Sequence, residues 1–263
     1  MIKREFKVNL KGFIIWTSIL VVLFGIVFLI YPFMFSDKTL KEIDIMLEMF
    51  PPELLKAFNM DLASMSSAYG WLKTEGYMFV LLIFGFYGSY LGGTILLKEE
   101  NDKTIEYLSE LPIKRSQIIT NKLVVGISYI TLSVLVLGLF NYVCLLLSGD
   151  LNQKEYLLLS LAPLLSAIPL FAISFFLSTF MHKTKKVVGI SLGLVFIFYM
   201  LNILGELSEN VEFIKYFSVY TLSDVRNIIT NTAINPIMLL VSLTITIAFI
   251  CGGYISYNKK ELV

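Results

Sequence analysis

The sequence predicts an all-α integral membrane protein with six transmembrane helices, and three observations carry that prediction. The 263-residue chain is 57% hydrophobic and 16% charged, against about 25% charged residues in soluble domains. It contains six uncharged apolar runs, each as long as the roughly 20 residues a helix needs to cross the hydrocarbon core. The alternating polarity of about 10-residue barrel strands is missing, so the backbone polar groups in those runs must be satisfied within helices.

The spans fall at about 12–35, 76–97, 123–148, 156–181, 187–205 and 234–257. Ahead of the first, residues 1–11 read as an interfacial helix: Ile2, Phe6 and Leu10 recur every four residues among Lys3, Arg4, Lys7 and Lys11. A disordered basic tail is the alternative. The first run is too long for a signal peptide and lacks a small-residue cleavage site.

The segment Asp37–Lys73 carries a helical stripe of Leu40, Ile43, Leu47 and Phe50, then Pro51-Pro52, then Leu54, Leu55 and Phe58. Short amphipathic helices on the outer leaflet fit this pattern, as does a small capping subdomain. In the second span, Gly88 and Gly92 have the spacing that lets helix backbones approach closely, and Gly189 and Gly193 repeat it in the fifth. Packing within the chain is the favoured use of these glycines. Pro163 and Pro169 interrupt the hydrogen-bond ladder of the fourth span. Before the last span, the stripes Val211, Ile214, Phe217 and Val225, Ile228, Ile229 predict two external re-entrant helices, the second with Ser223 as its N-cap.

Charge orients the bundle. Of the 21 Lys and Arg, 14 lie in the N-terminal tail, the loop 98–122, the loop after the fourth span and the C-terminus. The positive-inside bias makes both termini and that loop cytoplasmic. A net charge of +1 gives no reason to expect a nucleic-acid partner. Cys144 and Cys251 lie inside spans and read as packing residues, not a disulfide or metal pair.

Catalytic and nucleotide-binding chemistry finds no residues to stand on. Gly92-Gly93-Thr94 lacks the Lys of a phosphate-binding loop. His182, the single histidine, sits beside Lys183 at a membrane edge without the partners of a metal or hydrolytic site. Acids stay at helix ends, as Glu75 and Glu206 do, whereas proton- and ion-coupled carriers keep ionisable groups near the midplane.

The loop between the second and third spans is the most informative segment. Asn101 or Asp102 can cap a short helix on which Thr104, Tyr107, Leu108 and Leu111 fall at i, i+3, i+4 and i+7, with Pro112 ending it. A cytoplasmic helix with such a stripe fits a groove on a partner protein; a solvated connection is the plain alternative.

The run Lys98-Glu99-Glu100-Asn101-Asp102-Lys103-Thr104-Ile105-Glu106-Tyr107-Leu108-Ser109-Glu110-Leu111-Pro112-Ile113-Lys114-Arg115 resembles the acidic, Thr-Ile/Leu-Glu, Leu-Pro, Arg segment of ABC-transporter type-2 permeases, the membrane subunits of bacterial ABC exporters. Phe50-Pro51-Pro52-Glu53-Leu54-Leu55-Lys56-Ala57-Phe58 also resembles the stretch after the first span in some members. Lys103 stands where the family usually has Gly, and Lys114 where it often has Ser. In that family the loop segment is the coupling helix. The resemblance therefore implies that Glu99, Glu100, Asp102, Thr104, Ile105, Glu106, Tyr107, Leu108, Leu111, Pro112 and Arg115 dock an ATP-binding cassette subunit.

The resemblance further implies a second permease subunit, identical or related, and ATP with magnesium on the partner subunit rather than any cofactor here. The bacterial plasma membrane is the implied location. A pathway between subunits along the second and fifth spans would be lined by Phe84, Tyr87, Tyr90, Phe196, Phe198 and Tyr199, suiting an amphipathic or hydrophobic cargo such as a peptide toxin, antibiotic or lipid-like molecule. Those aromatics facing lipid is the competing reading. A non-transporting membrane scaffold or sensor, or an integral membrane enzyme, are the rival functions.

Overall fold

A computed structural model of the chain describes residues 2–34, 45, 49, 51, 67–102, 104, 113–149, 151–207 and 209–260. In chain order its helices are α1 (Ile2–Met34), α2 (Ala68–Trp71), a π-helical turn (Leu72–Gly76), α3 (Tyr77–Ile95), α4 (Lys98–Asn101), α5 (Arg115–Ser148), α6 (Gln153–Ser178), α7 (Thr184–Leu207), two 3₁₀ segments (Glu209–Phe217 and Val219–Ser223), α8 (Val225–Asn231) and α9 (Pro236–Lys259). Among the described residues six helices are long and apolar enough to cross a membrane: α1, α2–α3 together, α5, α6, α7 and α9. Among the described residues there is no β-strand.

Local signals set the ends. Asn235 caps α9 by accepting from the Ile237 N–H, with Pro236 at the first helical position, where its missing N–H costs nothing. Gly149 ends α5 in the left-handed conformation, φ 74°, which a side chain disfavours. Asp224, not the expected Ser223, caps α8, accepting from the Asn227 N–H at 3.1 Å. The Ser223 hydroxyl instead donates to the Ala162 carbonyl of α6 at 2.8 Å.

α6 is the centre of the bundle, packed against α3, α5 and α9, while α1 leans mainly on α5, and α7 on the 3₁₀ segment Glu209–Phe217 and on α3. The two prolines of α6 do not prevent this position. Pro169 has no N–H to give the Leu165 carbonyl, and the Ser242 hydroxyl of α9 supplies the donor at 2.8 Å. Gly88 and Gly92 let α3 meet α6 backbone to backbone. A Cβ at Gly88 would lie 2.7 Å from the Ala167 carbonyl oxygen, and one at Gly92 would collide with that of Phe171. The spacing is thus used inside the chain. Gly189 and Gly193 face open space.

This contrast makes a test. Gly92→Ala is expected to destabilise the bundle by about 1–3 kcal/mol, because a carbonyl cannot step aside as a side chain can. Gly189→Ala should be neutral or slightly stabilising. Thermal unfolding in detergent reads both.

Three boundaries differ from the sequence expectation. Residues 2–11 are helical, but they form one unbroken helix with the first span. At about 1.5 Å per residue, α1 is roughly 50 Å long, well beyond a 30 Å hydrocarbon core. Its first turns lie against α5, where Phe6 and Phe13 pack on Tyr129. The third span starts at Arg115, eight residues before its uncharged run, so the connection after α4 is shorter than residues 98–122. The expected re-entrant stretch folds as two 3₁₀ segments and the seven-residue α8. The stripe residues Leu40, Ile43, Leu47, Phe50, Leu54, Leu55 and Phe58 lie outside the described residues.

Candidate functional site

The N-terminus, α4, the start of α5, the α6–α7 turn and the end of α9 gather at one end of the bundle. Several of their charged side chains are paired there. α4 is one turn long and presents Glu99 and Glu100 to opposite partners. Lys122 of α5 is fully buried, its Nζ 2.7 Å from Glu99 Oε2 and 3.4 Å from Glu5 Oε2 of α1. It also donates to the Ile95 carbonyl at 2.6 Å, one of the last carbonyls of α3 and part of the negative end of that helix. One ammonium thus joins α1, α3, α4 and α5.

Glu100 faces the other way. Its Oε1 is 2.8 Å from Lys260 Nζ and its Oε2 is 3.1 Å from His182 Nδ1. Lys260 also donates to the Met181 carbonyl at 2.7 Å, beyond the end of α6. Arg115 completes the arrangement, donating to the carbonyls of Asn258 and Lys260 at 3.2 and 2.9 Å. The two roots of the connecting loop, α4 and the start of α5, are therefore each fastened to the bundle by charge-assisted bonds.

Nearby, Lys98 donates to the Val8 carbonyl of α1 at 3.0 Å. Burial pushes its ammonium below the ordinary lysine range, while Asp102 opposes that shift.

Of the residues expected to dock a partner, Glu99, Glu100 and Arg115 are engaged within the chain. Asp102 and Thr104 are exposed, and the Thr104 N–H closes the turn onto the Glu99 carbonyl at 2.9 Å. Ile105, Glu106, Tyr107, Leu108, Leu111 and Pro112 lie outside the described residues.

The aromatics proposed to line a pathway are not brought onto one surface of this chain. Phe84 and Tyr87 are in the core, Tyr90 and Phe196 are exposed, and Phe198 and Tyr199 are half-buried. Tyr199 meets Tyr220 edge-on at 5.6 Å.

Sequence reasoning missed Glu5, Lys122, Lys260 and the Glu100 partnership of His182. A signal was present: tandem acids sit one residue past an apolar run, and a lysine directly precedes the next. Buried charges need partners, and these were the ones in reach. Among the described residues no cluster could hold a metal ion.

The model of one protein family, described as ABC-2 family transporter protein, matches residues 1–262. No curated protein and no solved structure matches the chain. With a family match across nearly its whole length and six helices fit to span a bilayer, this multi-pass chain belongs to the ABC-2 family of transporter proteins.

Proposed function

We propose that the chain is the permease subunit of an ATP-driven exporter, powered by a separate ATP-binding cassette subunit that docks on residues 102–112. The observation that carries this reading is the anchoring of both roots of that segment. The carboxylates of α4 are held from two sides by Lys122 and Lys260, and Arg115 holds the start of α5 to the end of α9. A push on the segment would reach α1, α3, α5 and the α6–α9 end together, which is what a coupling element has to do. ATP and magnesium belong to the partner, and this chain supplies the moving walls.

Two permease subunits, identical or related, enclose the path in this reading, along α3 and α7 with Tyr90 and Phe196 toward it. The cargo class is amphipathic or hydrophobic: a peptide toxin, an antibiotic or a lipid-like molecule. The termini end is cytoplasmic in the bacterial plasma membrane, on the strength of the positive charge gathered there.

Two experiments test the reading. Co-expression with a candidate ATP-binding cassette subunit is expected to yield a stable complex with ATPase activity, while the purified chain alone hydrolyses none. Turnover by the chain without any partner would end the permease reading. In a background lacking Cys144 and Cys251, cysteine at position 103 is expected to resist an impermeant maleimide in intact cells, and cysteine at 213 to react. The reverse pattern would invert the orientation.

A further inference from the structure

A cavity of about 390 Å³ opens at the termini end between α1, α3, α4 and the start of α7. Its walls divide by chemistry. Trp16 and Tyr90 form an aromatic side with ring centroids 6.0 Å apart. Lys11 and Lys98 line it as cations, and Asp102 is the one acid on its wall among the described residues. Glu5 and Glu99, the other acids near Lys98, are turned to Lys122. Thr184, the first residue of α7, contributes a buried hydroxyl without a hydrogen-bond partner among the described residues. From the cavity, the face of α1 that carries Ile15, Ile19, Val22 and Ile26 continues away as an exposed apolar lane, the four side chains falling at i, i+4, i+7 and i+11.

We propose that this cavity binds an acidic membrane lipid from the leaflet at the termini end. Its phosphate lies between Lys11 and Lys98, its glycerol region on Trp16 and Tyr90, and an acyl chain along α1. Three features select that occupant. Two ammonium groups and an unused hydroxyl are donors without a matching number of acceptors. Basic pockets between membrane helices bind lipid head groups by such excess, and Trp and Tyr sit at head-group depth. The apolar lane gives a tail somewhere to go, which a free anion would not need. The site goes beyond the transporter reading and does not depend on it.

The chain has two tryptophans, so Trp71→Phe leaves Trp16 as a fluorophore inside the cavity. The full-length chain is reconstituted in vesicles containing brominated phosphatidylglycerol or brominated phosphatidylcholine at equal mole fraction. Quenching should show about a five-fold preference for the acidic lipid, the scale expected for one net lysine charge near a membrane surface. Lys11→Gln with Lys98→Gln leaves Asp102 as the charge on the wall and should bring the preference to unity or below, and Asp102→Asn in the parent should raise it. Gly12→Leu offers a second route: nothing lies within 4 Å of its added Cβ, so it fills the cavity without straining the helix and should also abolish the preference. Equal quenching by the two lipids in the parent protein overturns the proposal, as does a preference that survives both the lysine pair and Gly12→Leu. A Trp16 response to soluble glycerol phosphate with no lipid preference would assign the site to a free anion and overturn it as well.

Discussion

Lys122→Met is expected to be the most damaging single substitution for stability, costing about 3–5 kcal/mol. Methionine matches the lysine stem in length and keeps the packing, so the loss is electrostatic. Glu99 and Glu5 would be left as buried carboxylates, 4% and 2% exposed, and the Ile95 carbonyl would lose its donor. Each uncompensated buried charge carries a large desolvation cost, and the cost of breaking such a pair is mostly that of the partner left behind. Adding Glu99→Gln to Lys122→Met should therefore recover part of the loss, since an amide needs no counter-charge. Lys260→Met should cost less, because Glu100 keeps His182 as a partner at 3.1 Å. Thermal unfolding in detergent, read as the retained monodisperse fraction, ranks the four proteins. A Lys122→Met protein as stable as the parent would mean that this lysine does not hold α1, α3, α4 and α5 together.

The same lysine explains why some of the fold was legible and some was not. The six spans follow from length and apolarity, properties that each segment carries by itself. The uncharged run puts the start of the third span at Leu123, because Lys122 ends it. That reasoning allows a charge only two homes, lipid or water. Protein is a third: the partners here are Glu99, 23 residues away, and Glu5, 117 residues away in sequence, and the second is out of reach of any sequence window. No local pattern reports such a pairing. The basic residues of 1–11 likewise read as a separate interfacial element, because Lys and Arg hide the fact that Glu5 and Asn9 face protein. Gly88 and Gly92 were readable because small residues at that spacing have one main use. That Gly189 and Gly193 have no such neighbour depends on which helix the fold places opposite them. Ser223 and Asp224 are adjacent and equally suited to capping; the choice between them is made by the Ala162 carbonyl that Ser223 faces.

Within the proposed complex, Leu108→Asp is expected to abolish export and Tyr107→Ala to reduce it strongly, with the chain still inserted and folded. Both positions lie outside the described residues, so the argument rests on the sequence stripe and on how the structure holds its two ends. Thr104, Tyr107, Leu108 and Leu111 share a helical face. If the segment stands in the cytoplasm, that face has no membrane to enter and needs a groove on another protein. Removing a buried aromatic anchor from such an interface costs about 2 kcal/mol or more, roughly a 30-fold loss of affinity. An aspartate at 108 would bring a charge into the groove without a partner, a cost at least as large. Neither change touches Glu99, Glu100 or Arg115, the groups that fasten the roots of the loop, so thermal stability of the isolated chain should stay at the parent value. That separation distinguishes loss of docking from loss of fold. Glu99→Gln should do the opposite, lowering stability while leaving the docking stripe intact. The measurements are co-purification of the ATP-binding subunit, partner-dependent ATPase activity and cargo export in cells. If Leu108→Asp and Tyr107→Ala leave all three at parent levels, the stripe is a solvated connection. The anchored ends of the loop would then serve the stability of the bundle alone.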